Sequence, residues 1–376
     1  MSKSLKALAL AGAVLVLASA SAAQTPGSFV DVPGGKLWYE TCGSGQQAMI
    51  LIHDGVLPST VWDDVWPALC KTFHVIRYDR RGYGRSPEAK APYSQVEDLQ
   101  AVMRSAGVGR AVVVGSSNGG GIAIDFTLAH PDEVDRLVLV GPEVSGISHS
   151  RYFLERGVEL VGRMARGDVR GAIKGSWLFA PGDDANLEKA IQKTDPRIAV
   201  RQDLAMPAPP AAPRLGEIKV PTLVLIGEYD VADNHAETGA VEYAVKSSAR
   251  VVIRGAGHLL YLEQPAAFTD VVTRFVLAVP SPGTEAALRR VIAEFKRGEP
   301  DYALLSPAMA QAVRANLERI KARQAALGPL RTLAFKRTTS DGADIFIAAY
   351  EKGSAEVRIV VGPDGRIYDL GSTPLS

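Results

Sequence analysis

Two cysteines, Cys42 and Cys70, are all the chain has in 376 residues. That excludes a disulfide-rich scaffold and a four-cysteine zinc cluster. Neither sign of charge is in excess, with 42 Lys+Arg against 41 Asp+Glu, which argues against nucleic acid or an anionic membrane surface as the main partner. Six histidines (His53, His74, His130, His149, His235, His258) are scattered without ligand spacing, so no metal site is expected. The apolar run from Leu8 to Ala18, broken only by Gly12, is too short to span a bilayer. What is present is ordinary for a soluble globular protein, with 47% hydrophobic and 22% charged residues. The length suits one large domain and a smaller one.

The first residues read as a targeting segment. Lys3 and Lys6 precede the apolar run, and Ala18-Ser-Ala-Ser-Ala-Ala23 offers small residues for cleavage after Ala23. We expect residues 1–23 to be a secretory signal peptide, with the mature protein periplasmic or secreted. No cysteine stands near the cleavage site to take a lipid, so no stable membrane anchor is expected after cleavage. In an oxidising compartment Cys42 and Cys70 can pair, although their spacing does not fix the distance between them.

From residue 24 to 279 strands and helices alternate. Phe29–Pro33 and Lys36–Thr41 read as a hairpin, and Met49–Ile52, His74–Tyr78, Val112–Val114 and Arg136–Val140 as buried strands. Trp62–Leu69 and Ser94–Ala106 have helical spacing, the second with Ser94 and Glu97 as a capping box. The alternation stops over about 142–219, where Tyr152–Ala165 and Asp168–Phe179 predict a helical cap. It resumes with a strand at Val220–Ile226, a helix at Ala236–Val245, a strand at Arg250–Arg254 and a helix opened by Pro265. The pattern predicts an α/β fold, a parallel sheet with helices on both faces. After the Val279-Pro-Ser-Pro-Gly283 linker, residues 284–376 read as a small α+β domain: two helices, then alternating strands with turns at Asp341-Gly342 and Pro363-Asp-Gly365.

The chemistry centres on Gly115-Ser116-Ser117-Asn118-Gly119, a G-x-S-x-G pattern. In a chain with 36 glycines the pattern alone decides little; the strand before it and the helix after it give it meaning. Glycine two residues either side of Ser117 permits the sharp turn that lifts a serine hydroxyl clear of the sheet. A serine is a poor nucleophile until an imidazole takes its proton, and the imidazole needs a carboxylate to hold its tautomer. His258, in the Gly255-Ala-Gly-His258 strand ending, is the candidate base. Asp230 is the favoured acid because it directly follows a strand; Asp233 and then Glu143 are the alternatives. In a parallel sheet all these loops leave at the carboxyl edge.

With these residues in hand, the stretch from about Phe29 to Val279 resembles the α/β-hydrolase superfamily, in particular its esterase and lactonase members. The Asp79-x-Arg81-Gly82-x-Gly84-x-Ser86 turn adds to the resemblance; it lacks the third glycine of a dinucleotide fingerprint, and its expected role is scaffolding by Asp79 and Arg81. Ser117 at the elbow disfavours the dehalogenases and epoxide hydrolases, which use an aspartate there. The resemblance implies an oxyanion hole built from the Asn118 N–H and a donor in the His53-Asp54-Gly55 loop, Gly55 preferred over Val56. Asp54 departs from the usual His-Gly pair; a cap for Ser59-Thr60 is its expected role. Tyr152, Phe153, Trp177 and Phe179 are either cap core or acyl-pocket lining. The C-terminal domain resembles small cystatin-like or NTF2-like modules.

These expectations describe a serine hydrolase acting on a small-molecule acyl substrate, an ester or lactone, without a cofactor. Amide, thioester or C–C bond cleavage on the same residues is the alternative within that chemistry. A binding protein on a hydrolase fold is the alternative outside it.

Overall fold

The computed structural model describes residues 27–339, 342–362 and 364–375. The expected signal peptide, 1–23, lies outside the described residues, as do Asp341 and Pro363 of the two expected turns.

Eight strands form one mixed sheet. β1 (Ser28–Val32) and β2 (Gly35–Cys42) are the antiparallel hairpin, followed in chain order by β3 (Ala48–Ile52), β4 (His74–Tyr78), β5 (Ala111–Ser116), β6 (Val134–Val140), β7 (Thr222–Gly227) and β8 (Ser248–Ile253). Their spatial order is β1-β2-β4-β3-β5-β6-β7-β8, parallel from β4 onward. The strands at its centre are apolar on both sides, as a sheet covered on both faces demands. Met49, Leu51, Val112, Val114, Val138 and Val140 face one core layer; Ile50, Ile52, Val113, Leu137 and Leu139 face the other. Helix α1 (Trp66–Cys70) and, after α8 (Leu260–Glu263), helix α9 (Pro265–Leu277) pack on the first layer, where Trp62, Tyr261 and Phe268 form an aromatic cluster. Helices α2 (Gln95–Ser105), α3 (Asn118–Ala129) and α7 (Ala232–Ala244) cover the second.

Between β6 and β7 the chain leaves the sheet through α4 (Arg151–Ala165), α5 (Val169–Lys174) and α6 (Asp184–Lys193). α5 stops short of the expected Phe179 because Asp168 caps its start through the Gly171 N–H and Gly175 and Ser176 close its end within two turns. The expected Trp62–Leu69 helix is split into a 3₁₀ turn at Ser59–Trp62 and the short α1. Asp79, not Asp54, holds Ser59, accepting from its N–H at 2.9 Å and its hydroxyl at 2.6 Å. Conversely α7 starts four residues earlier than its periodicity suggested.

Cys42 and Cys70 are joined, tying the end of β2 to α1 with a Cα–Cα distance of 5.5 Å. Closing a loop of this size restricts the unfolded chain by an amount worth about 3–4 kcal/mol in the chain-entropy account.

A separate four-stranded antiparallel sheet, β9 (Leu330–Thr338), β10 (Asp344–Tyr350), β11 (Gly353–Val361) and β12 (Ile367–Leu375), follows α10 (Thr284–Arg297) and α11 (Pro307–Leu327). Leu288, Val291 and Phe295 of α10 and Val313 of α11 bury against Phe346, Ala355, Val357 and Ile359. Its core is distinct from the two layers of the large sheet, as expected of an independent α+β unit.

Candidate active site

Ser117 stands between β5 and α3 at φ 54°, ψ −120°. Among the described residues only Ala278 shares a positive φ without being glycine. Such a backbone costs about 1–3 kcal/mol and persists only where its surroundings enforce it. Here they do: the Ser117 N–H donates to Val140 O at 2.8 Å, and its carbonyl accepts from Gly120, Gly121 and Glu143. The flanking glycines are sterically required. A Cβ at Gly115 would lie 2.2 Å from Gly119 O, and one at Gly119 would lie 2.4 Å from His53 O. Ser117 itself is half-buried.

The other two residues reach it from β7 and β8. Asp230 lies in the turn after β7 and His258 in the loop after β8, both buried. His258 Nδ1 is 2.8 Å from Asp230 Oδ2. The second carboxylate oxygen, Oδ1, accepts from the Val231 N–H at 2.8 Å and the Asn234 amide at 2.7 Å. The imidazole stands over Gly141, where a Cβ would come within 2.9 Å of Cε1 and Nδ1; Gly141 directly follows Val140, the residue that holds the Ser117 N–H. The residue that holds the Ser117 N–H and the residue beneath the imidazole, Val140 and Gly141, are thus consecutive. Burial alone would push the imidazole pKa down, but the Asp230 charge and hydrogen bond, with weaker help from Asp54 and Glu237, outweigh it and hold His258 above its ordinary 6.5.

The alternative acids have other partners. Asp233 Oδ2 accepts from the Ser150 hydroxyl at 2.8 Å, and Oδ1 from the Ser150 N–H, fixing the start of α4. Glu143 accepts from the Asn118 side chain at 3.1 Å. Of the three acids only Asp230 meets His258, whose Nδ1 also lies 2.9 Å from the Asn234 amide nitrogen.

The His53–Leu57 loop faces the elbow, where a Cβ on Gly55 would sit 3.6 Å from Asn118 Cβ. Asp54 folds its carboxylate back on its own loop, accepting from the Val56 N–H at 2.6 Å, the Leu57 N–H at 2.9 Å and the Tyr261 hydroxyl at 3.1 Å. The Val56 amide is thereby committed, which corrects its place among the candidate donors. Gly55 N–H carries no bond to any described residue. The His53 ring is buried; Nε2 accepts from the Arg80 N–H at 3.0 Å, so Nδ1 holds the proton and donates it to Asp54 O at 2.8 Å. Burial, reinforced by the Arg80 charge, keeps His53 well below the usual histidine pKa.

The alpha/beta hydrolase family model matches residues 49–271, more than half of the chain, and spans the strands and loops just described. The chain belongs to the alpha/beta hydrolase family. Its relatives include a pimeloyl-[acyl-carrier protein] methyl ester esterase of Edwardsiella ictaluri, 28% identical over 64% of this chain and 96% of that one. Among solved structures it is similar to carboxylesterase CesB of Bacillus subtilis, 26% identical at a TM-score of 0.58 over 67% of this chain and 92% of that one. It is also similar to an enol-lactonase of Burkholderia xenovorans LB400, 25% identical at a TM-score of 0.57 over 66% of this chain and all of that one.

In this hydrolase the Asp79–Ser86 turn is a brace, with Asp79, Arg80, Arg81, Tyr83 and Ser86 buried. Asp79 also accepts from the Arg85 N–H at 2.9 Å, and Arg81 grips Asp98 through two bonds of 2.7 and 2.8 Å. Three contributors at the site were not singled out from the sequence. Asn234, one helical turn beyond Asp230, orients its carboxylate. Arg80 occupies the spacer position between Asp79 and Arg81 of the Asp79–Ser86 motif. Glu263 joins the His258 loop to the inserted helices, accepting from Gly257 N–H at 2.7 Å and Ala180 N–H at 2.6 Å, and burial raises its pKa to about 7. The inserted aromatics divide: Tyr152 is exposed, Phe153 stacks on His149 and meets Trp177, and Phe179 packs on the core layer beside the His258 loop. Among the described residues no group of three or more His, Cys, Asp or Glu is placed to hold a metal ion.

Proposed function

We propose that the protein is a periplasmic or secreted serine hydrolase that cleaves a carboxylic ester or lactone through an acyl-enzyme on Ser117. The observation that carries the reading is the His258–Asp230 contact of 2.8 Å beside a serine held at φ 54°. In this mechanism Asp230 holds the proton on His258 Nδ1, which leaves Nε2 free to take the hydroxyl proton as Ser117 attacks the carbonyl. The Gly55 and Asn118 amides receive the oxyanion. His258 then passes the proton to the leaving alkoxide, and water repeats the sequence to release the acid. Esterase and lactonase relatives support the bond class, and the Cys42–Cys70 disulfide fits an oxidising compartment. No step calls for a cofactor.

A fluorophosphonate probe is expected to label the protein at one site, in the peptide carrying Ser117. Labelling elsewhere, or none under conditions in which the protein hydrolyses an ester, would overturn the assignment of the nucleophile.

The pH dependence has a definite sign. The mechanism needs neutral His258, and its raised pKa keeps the ring protonated to higher pH than a free histidine. kcat/KM should therefore fall on the acid side with an inflection above 6.5. A steady-state profile that stays flat down to pH 4 excludes His258 as the base.

A further inference from the structure

Arg80 is buried, yet it makes no ion pair with a carboxylate among the described residues. Burying an unneutralised guanidinium costs stability, so its bonding partners matter. Nη2 donates to Asp54 O at 2.5 Å. That oxygen belongs to the same peptide unit as the Gly55 N–H. Nη1 donates to the Asn118 side-chain oxygen, with a longer 3.4 Å contact to Gln95 Oε1. Nε is buried without a partner. The guanidinium rests on one side of the Tyr83 ring, 4.7 Å from its centroid, while Arg201 rests 4.0 Å away and donates to the Tyr83 hydroxyl at 2.8 Å. Tyr83 in turn donates to Gly55 O at 2.8 Å. One planar cation thus touches the Asp54–Gly55 peptide, through Asp54 O, and the side chain of Asn118, the two places whose amides are assigned to the oxyanion.

We propose that Arg80 is the positioning residue of the oxyanion site, aligning the Gly55 and Asn118 amides and setting a positive charge behind the developing oxyanion. The inference rests on the serine-hydrolase reading above. A hydrogen bond to Asp54 O polarises the peptide and strengthens its N–H as a donor, because linked dipoles reinforce each other in a low-dielectric interior. The His53 Nδ1–H bond to the same oxygen adds to this, and the Arg80 N–H fixes the tautomer that makes it possible. Arg80 therefore acts on the Gly55 peptide twice, through its side chain and, by way of His53, through its backbone. The cation needs no carboxylate partner because its field serves a charge that exists only during turnover.

The test compares wild type with Arg80→Met and Arg80→Lys on a short-chain p-nitrophenyl ester, with fluorophosphonate labelling rates and affinity for a boronic acid that forms a tetrahedral adduct. Arg80→Met should lower kcat about 10²-fold, as for loss of one oxyanion donor, with KM little changed. Boronate affinity and labelling rate should fall in parallel, while the thermal midpoint stays level or rises. Arg80→Lys, which keeps the charge but not the fork, should fall between. Added guanidinium should restore part of the activity of Arg80→Ala.

A kcat near wild type in a folded Arg80→Met protein overturns the proposal. So does a loss confined to KM. Should Arg80→Met not fold, the lysine variant decides: wild-type kcat and boronate affinity there overturn the fork's role, and a matched loss of both supports it. A wild-type protein left unlabelled at Ser117 removes the reading beneath the proposal and overturns both, whereas labelling at equal rates in wild type and the Arg80 variants overturns this inference alone.

Discussion

Ser117→Ala is expected to lower kcat/KM for ester hydrolysis by at least about 10⁴-fold, the loss typical of deleting one member of a serine triad. Alanine keeps the Cβ and the backbone strain, so the elbow at φ 54° and its bonds to Val140 and Glu143 remain. Only the attacking oxygen is removed. A residual rate above background should persist, because the Gly55 and Asn118 amides still receive an oxyanion formed by water. Steady-state kinetics with a matched thermal melt provide the check. Turnover within tenfold of wild type would remove Ser117 from the mechanism, whatever the labelling shows.

Asp230→Asn is the second large effect, and its direction follows from hydrogen-bond bookkeeping. Oδ1 of Asp230 accepts from two donors, the Val231 N–H and the Asn234 amide. An asparagine at this position must keep its carbonyl oxygen there, which turns its NH₂ toward His258 Nδ1. An N–H donor facing Nδ1 forces the ring proton onto Nε2, and a protonated Nε2 cannot take a proton from serine. We expect kcat to fall about 10³- to 10⁴-fold with the fold intact. Asp233→Asn should leave kcat close to wild type, since Asp233 serves Ser150 and the start of α4. If the two variants exchange these outcomes, Asp233 is the acid.

The residues that make up the site were legible because each follows a strand, and strand-end position survives large errors in helix length. Ser117, Asp230 and His258 come from β5, β7 and β8, strands whose apolar runs are unambiguous. The acid choice was narrowed by position and is separated in the structure by partners: Ser150 occupies Asp233, while His258 meets Asp230. Val56 shows what the sequence hides. Whether an amide is free depends on where the neighbouring Asp54 carboxylate turns, and that is set by Tyr261, 207 positions away. Arg80 was hidden for a similar reason. In the motif it stands at a spacer position, and its reach to Asn118 depends on β4 and β5 both flanking β3. The expected helix at Asp168–Phe179 is cut short by a local cap that periodicity does not report, and the one at Trp62–Leu69 is split beside Ser59, which Asp79 holds from 20 positions away.

The helical insertion leaves the sheet after β6 and returns before β7, and these two strands are directly paired, Leu137 with Thr222 through Val140 with Leu225. The strands run parallel, so the insertion closes not on the strand ends but at Ser145, which accepts the Ala212 N–H on its carbonyl and, 66 positions away, the Ala211 N–H on its hydroxyl, both at 2.9 Å. A segment with closely spaced ends can be exchanged for another of different length without moving the frame that bears Ser117, Asp230 and His258. The architecture separates two problems for engineering: Ser117, Asp230 and His258 stay with the sheet, and the insertion can be rewritten as a cassette. Among its constraints is the His258 loop, whose bonds to the insertion, Ala180 N–H to Glu263 and Leu259 N–H to Leu178 O at 3.0 Å, any replacement must supply again if the loop is to stay where it is.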